Sequence, residues 1–313
     1  MTLEARLAAA RAGDARATAR LLTIVENDEP EAAAILRATY PQAGRALVVG
    51  VTGPPGGGKS TLVSRLVTAY RTRHARVAVV AVDPSSPFTG GAILGDRIRM
   101  RDQFLDEGVF IRSMASRGAS GGLARASGRV VGVLDALGHE VVLVETVGVG
   151  QEEVEVMRVA GTVCLVTVPG LGDDIQAIKA GVLEIADVLV VNKADKPGAD
   201  EAARDLQMML TLARPRAGAW RPPIVRTTAT SGEGVAELVE AVAAHAAWSV
   251  ESGDGLRRRR EAARVEVESL LREALLRRLE GRVGRERLGD AVARVAERQL
   301  DPFAAVEELL RSS

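Results

Sequence analysis

A single cysteine, Cys164, stands in the chain of 313 residues. No intrachain disulfide can form. Its place in the apolar run TVCLVTV reads as a small buried hydrophobe suited to a reducing, cytoplasmic compartment. No Cys-x-x-Cys pair and no His-rich tract occurs, and the three histidines, His74, His139 and His245, are scattered, which argues against a built-in metal store. Net charge is lacking as well: Lys plus Arg and Asp plus Glu each count 41. The chain as a whole therefore has no field to draw it to nucleic acid or to an anionic membrane. No apolar run approaches the about 20 residues of a membrane span, and no basic stretch followed by an apolar core opens the sequence. A soluble intracellular protein with small-molecule and protein partners is expected, with no nucleic acid and no membrane among them. The length allows one large α/β domain with appendages.

What is present is a phosphate loop. In LVVGVTGPPGGGKST, Leu47 to Thr61, a short apolar run ends in Gly53-Pro54-Pro55-Gly56-Gly57-Gly58-Lys59-Ser60-Thr61, which meets the spacing G-x-x-x-x-G-K-[ST]. Gly56, Gly57 and Gly58 are expected to take φ values that other residues avoid and to turn successive N–H groups toward phosphate oxygens. A helix starting near Lys59 adds its positive end. Lys59 then reaches the β and γ phosphates, and the Ser60 hydroxyl becomes a Mg²⁺ ligand.

From Ala46 onward, seven strand-like runs alternate with helical patterns: ALVVGVT, RVAVVAV, VFIRSM, EVVLVET, TVCLVTV, DVLVVN and PIVRTTA. The alternation predicts an α/β fold of P-loop type, a mainly parallel sheet covered by helices on both faces. An N-terminal helical arm (1–45) of two helices, with a first break and N-cap at Gly13-Asp14 and the second helix started by Asp28-Glu29-Pro30, the proline in its first turn, precedes a core of 46–250. A C-terminal helical arm (251–313) follows, whose apolar stripe through Val265, Leu271, Leu275, Leu276 and Leu279 needs something to pack on. A second copy of the chain is the simplest candidate. The run Arg257 to Arg260 is interspersed with Glu261, Glu266, Glu268 and Glu273 and reads as a solvated face.

Ligands of such sheets lie beyond the carboxyl ends of the strands, so the residues after each run carry the chemistry. Asp83 ends one run and Asp96 lies in a glycine-flanked loop. Both suit a Mg²⁺ ion, directly or through water, and spacing alone leaves a cap or turn role equally open. Arg97, Arg99 and Arg101 follow, any of which neutralises γ-phosphate charge or simply faces solvent. Glu145 and Gly148 occupy the places of the Mg²⁺-binding acid and the γ-phosphate N–H. Val149 stands where small Ras-like GTPases carry their water-orienting glutamine, which implies slow intrinsic turnover unless Gln151 or a partner supplies that function. Asn192-Lys193-Ala194-Asp195 places a carboxylate that can accept from both N1–H and the 2-amino group of guanine, whereas adenine offers no matching pair of donors. Thr228-Ala229-Thr230 would offer a backbone N–H to guanine O6.

With GPPGGGKST, VDPSSP, GGAILGDRIRM, SRGASGGLARAS, ETVGVGQ, PGLGDDIQAIKAG and NKAD in this order, the chain resembles the MeaB/ArgK family of P-loop GTPases over nearly its whole length. The resemblance implies a homodimeric GTPase, binding GTP and GDP with Mg²⁺, that attends an adenosylcobalamin-dependent acyl-CoA mutase, gates cofactor loading and protects or reactivates the mutase. It further implies that Asp83, Asp96 and Arg99 belong to a first switch, Glu145 to a second, and the loop with Lys179 to a third that senses nucleotide and touches the mutase. Ala119-Ser120, within SRGASGG, departs from the bulkier pair common among relatives. Three other readings fit less well, one of them a signal-recognition-type GTPase, which needs a methionine-rich domain where this chain has six methionines in all. A metallocentre-assembly GTPase needs the metal-binding cysteines or histidines that this chain lacks, and a transport-linked ATP-dependent protein kinase needs adenine, against which Asp195 argues.

Overall fold

The computed structural model describes residues 2–83, 103, 105–115, 122–146, 155, 157–170, 184–212 and 218–311. Two compact units divide it, Met1–Gly255 and Leu256–Ser313.

The first unit is built on a sheet of seven strands, β1 Leu47–Thr52, β2 Val77–Asp83, β3 Val109–Ala115, β4 Val141–Thr146, β5 Thr162–Thr167, β6 Val188–Asn192 and β7 Ile224–Thr227. Their order across the sheet is β3-β2-β4-β1-β5-β6-β7, and every pairing is parallel. All seven apolar runs of the sequence become strands. Every residue of β4, β5 and β6 is buried, as a sheet covered on both faces requires. On one face the helix Lys59–Arg71 supplies Leu62, Val63, Leu66 and Val67 to a core that includes Val49, Val51 and Cys164. Burial pushes the Cys164 thiol well above its usual range, with the Asp187 carboxylate adding to it, so it remains an inert hydrophobe.

Three helices precede the sheet, α1 Leu3–Arg11, α2 Ala15–Glu26 and α3 Ala32–Thr39, where the sequence suggested two. The first break is the expected one: Gly13 takes φ 100°, and the Asp14 carboxylate caps α2 by accepting from Arg16 N at 2.8 Å and Ala17 N at 3.0 Å. From that cap α2 runs 12 residues, and Asp28, at φ 52°, ends it. Pro30 falls in the turn before α3, whose first residue is Ala32. These helices share the core of the sheet's other face, where Leu21, Leu22, Ile24 and Ile35 join Ala78, Val80 and Met114. Counting the helix Lys59–Arg71 as α4, the rest of this unit is α5 Gly122–Ala136, α6 Ala199–Leu212 and α7 Val235–Glu251. The Asp135 carboxylate, at the end of α5, gathers the amides of Gly44, Arg45 and Ala46 and so fixes where the chain enters β1.

The helices of the second unit are α8 Asp254–Val283, which begins two residues before it, α9 Arg285–Ala296 and α10 Pro302–Arg311. Among the described residues buried positions are few: Val283, Ala291 and Ala305. Leu271, Leu276, Val292 and Phe303 are exposed, Phe303 at 84%. Among the described residues no helix is long and apolar enough to cross a membrane.

His139 follows α5 and is buried, one ring N–H donating to Leu134 O at 2.9 Å. Burial lowers its pKa from 6.5 to about 4; the Leu134 bond opposes that shift and Arg76 adds to it. The folded value lies below the unfolded one, so the unfolded chain binds the proton first and stability falls as pH drops from about 6.5 toward 4. His139 should contribute a loss of roughly 2 kcal/mol between pH 7 and pH 5. Urea unfolding at the two pH values should show a smaller difference for His139→Gln than for wild type; equal differences would contradict the assignment.

Candidate functional site

The carboxyl ends of β1, β4, β6 and β7 and the loops that leave them bring the sequence's candidate residues to one edge of the sheet. After β1 the chain turns at Gly53, φ 149°, where a Cβ would stand 2.1 Å from Val166 O of β5. Gly56 and Gly58 take φ 74° and 81°, as expected of them. Gly57 does not take a positive φ; a Cβ there would lie 3.0 Å from Pro54 O, the carbonyl that its own N–H meets at 3.1 Å. Close approach, not handedness, makes residue 57 a glycine. Gly58 is the N-cap of α4, which starts at Lys59. Pro54 is buried, while Pro55 and Thr61 are exposed. Buried Lys59 donates from Nζ to Gly53 O at 2.7 Å and Pro54 O at 3.0 Å, so its ammonium is held over the loop by two carbonyls.

Register brings β4 beside this loop, with Glu145 opposite Val51 of β1 and Ala81 of β2. The Ser60 hydroxyl, in the first turn of α4, donates to Glu145 Oε1 at 2.6 Å, and both residues are buried. Thr146 Oγ1 donates to Thr52 Oγ1 at 2.9 Å and ties the two strand ends. A hydroxyl and a carboxylate converging beside a buried lysine form the hard-oxygen donor set that suits Mg²⁺, whose other ligands are ordinarily phosphate and water. The backbone of Asp83 ends β2 in register with Ala115; its side chain lies outside the described residues.

At the other end of the site the Asn192 side chain joins three segments. Its Nδ2 donates to Gly57 O at 2.9 Å, while its Oδ1 accepts from Thr227 Oγ1 and from Ala229 N, both at 3.1 Å. A Cβ on Gly58 would come within 2.4 Å of Nδ2, so glycine in the loop and asparagine in the strand require one another. Lys193 follows at φ 55°, Ala194 N donates to Thr227 O at 3.0 Å, and Asp195, about half exposed, lies 3.7 Å from Lys196 Nζ. Thr228 and Ala229 are buried and Thr230 is exposed. Buried Thr228 Oγ1 has no hydrogen-bond partner among the described residues.

Lys59, Ser60, Glu145, Asn192 and the loop Thr228–Thr230 are thus brought together. Asp96, Arg99, Gly148, Gln151 and Lys179 lie outside the described residues. One participant had no signal in the sequence. Arg65, on α4, donates from Nε to Ala229 O at 2.9 Å and from Nη2 to Thr230 O, and an arginine on an exposed helix face looks the same whether it holds a loop or solvent.

The chain resembles known proteins over most of its length. The family described as methylmalonyl Co-A mutase-associated GTPase MeaB matches residues 18–283. A Pyrococcus abyssi protein named as a GTPase is 48% identical over 301 residues, 96% of this chain and 93% of that protein. The GTPase ArgK of Escherichia coli is 38% identical over 248 residues, 77% of this chain and 75% of its own. The mouse methylmalonic aciduria type A homolog, mitochondrial, is 33% identical over 268 residues, 84% of this chain and 65% of its own. Among solved structures, a LAO/AO transport system kinase superposes with a TM-score of 0.73 at 27% identity, covering 99% of this chain and 97% of its own.

Proposed function

The chain belongs to the family of methylmalonyl-CoA mutase-associated GTPases, MeaB, and is a P-loop GTPase; from that premise we propose that it works as a homodimeric G protein for an adenosylcobalamin-dependent acyl-CoA mutase, gating cofactor loading and protecting or reactivating the mutase. The family's description ties it to methylmalonyl-CoA mutase, and the mouse relative carries the name of methylmalonic aciduria. The observation that carries the nucleotide half of the reading is the Asn192 side chain, bonded at once to the phosphate loop and to the loop Thr228–Thr230. A nucleotide bridging the two finds them already in fixed relation.

In this reading Lys59 exchanges its two carbonyl partners for the β and γ phosphates of GTP, and loop amides from Gly53 to Thr61 surround them. Ser60 and Glu145 would hold Mg²⁺, with Asp83 and Asp96 contributing directly or through water; the ion neutralises charge on the transferred phosphoryl group. Gly148 offers its N–H to the γ-phosphate. Asp195 selects guanine, for which ATP-dependent protein kinase chemistry has no use. Since Val149 cannot orient water, acceleration must come from residues that a partner rearranges, and Asp96, Arg99 and Lys179 are the candidates.

Two outcomes are expected. Phosphate release should be slow for the protein alone and should rise when a cobalamin-dependent methylmalonyl-CoA mutase is added, with Lys179→Ala reducing the rise while leaving GTP affinity nearly intact; a fast basal rate that the mutase does not change would refute the coupling. The exposed apolar side chains of the second unit, Leu271, Leu276, Val292 and Phe303 among them, support a helical dimer contact, because an exposed apolar stripe gains by being covered. Light scattering at micromolar concentration should give a dimer for the full chain and a monomer once 256–313 are deleted, and a monomeric full chain would contradict the assignment.

A further inference from the structure

The geometry points to Arg65 as a positioning residue for guanine recognition, an inference that rests on the nucleotide reading above and assigns this side chain a part in it. Arg65 stands in the second turn of α4, the helix that the phosphate loop itself begins. Its Nε and Nη2 form a planar fork against two consecutive carbonyls, Ala229 O and Thr230 O, a geometry that a lysine ammonium cannot reproduce.

The consequence lies in the peptide planes. A trans peptide carries its C=O and N–H on opposite sides. Holding Ala229 O toward α4 therefore turns the Thr230 N–H, in the same plane, away from it. The neighbouring amides already have acceptors: Thr228 N donates to Glu233 O at 3.0 Å, Ala229 N to Asn192 Oδ1 at 3.1 Å, Ser231 N to Thr228 O at 3.1 Å and Gly232 N to Thr228 O at 2.9 Å. Among the amides from Thr228 to Gly232, Thr230 N–H is the one with no acceptor. It stands one peptide from the amide that Asn192 holds, past the carboxyl end of β7, where guanine O6 needs a donor. Arg65 aims that donor without touching the base. Asn192 and Arg65 hold the loop from its two sides, one through an N–H and the other through carbonyls, and both holds lead back to the phosphate loop.

The test separates aiming from general bracing. Calorimetric titrations compare GDP, 6-thio-GDP, IDP and ADP on wild type, Arg65→Ala and Arg65→Lys. The sulfur analogue keeps both donors that Asp195 reads and weakens only the acceptor at position 6, whereas IDP loses the 2-amino group and keeps O6. In Arg65→Ala the preference for GDP over 6-thio-GDP should fall by roughly three- to tenfold, while the preference for GDP over IDP stays at the wild-type value. Arg65→Lys should restore part of the lost preference. An unchanged 6-thio ratio, or equal losses in both ratios, overturns the inference. Wild-type protein that binds ADP as tightly as GDP overturns the guanine reading, and this inference with it.

Discussion

Three hydrogen bonds to one buried amide side chain hold the site together. Asn192 ends β6 with its donor on Gly57 O and its acceptor on Thr227 Oγ1 and Ala229 N, so the phosphate loop after β1 and the loop Thr228–Thr230 after β7 are set by a single rigid group. The strands between them make this reachable. β1, β5, β6 and β7 are consecutive neighbours in the sheet, and an asparagine at the end of β6 can span from one loop to the other. Buried polar groups of this kind specify one arrangement because each is costly to leave unbonded. Gly58 completes the constraint, since any side chain there would displace the Asn192 amide.

The edge on the opposite side of β1 follows the same logic. The Ser60–Glu145 bond joins the first turn of α4 to the end of β4, and β4 neighbours β1 because the chain crosses back between β2 and β1. The strand order therefore delivers an acid to the foot of the phosphate loop, while Val-rich burial on both faces keeps the strands from shifting register. Lys59, held by Gly53 O and Pro54 O, already points over the loop that anions would enter.

The layers of the fold were legible because periodicity reports burial. Seven Val-rich runs became seven parallel strands, and the break at Gly13-Asp14 fell where cap chemistry placed it. The helix count before the sheet was read one short, since short Ala-rich segments carry weak stop signals and Asp28 ends α2 through a left-handed residue that is not glycine. In the phosphate loop the glycines are needed partly for reasons other than the motif suggests: Gly53 takes a positive φ and Gly57 does not, and close approach to Val166 O and Pro54 O, which spacing does not report, bars a side chain at each. Arg65 was invisible for a related reason. Its role depends on which carbonyls the fold brings across from β7, and nothing on α4 itself encodes that.

The central claim is that this site is built for a guanine nucleotide, read by the Asp195 carboxylate beside the Asn192 bridge. Calorimetric titration of wild type and Asp195→Asn with GDP, XDP and ADP tests it most directly. Wild type should prefer GDP strongly over ADP. Losing one charge-assisted, two-donor contact should weaken GDP binding in Asp195→Asn by roughly 2–4 kcal/mol and shift the preference toward XDP, whose 2-oxo group needs a donor. Equal affinity of the wild type for GDP and ADP would contradict the account.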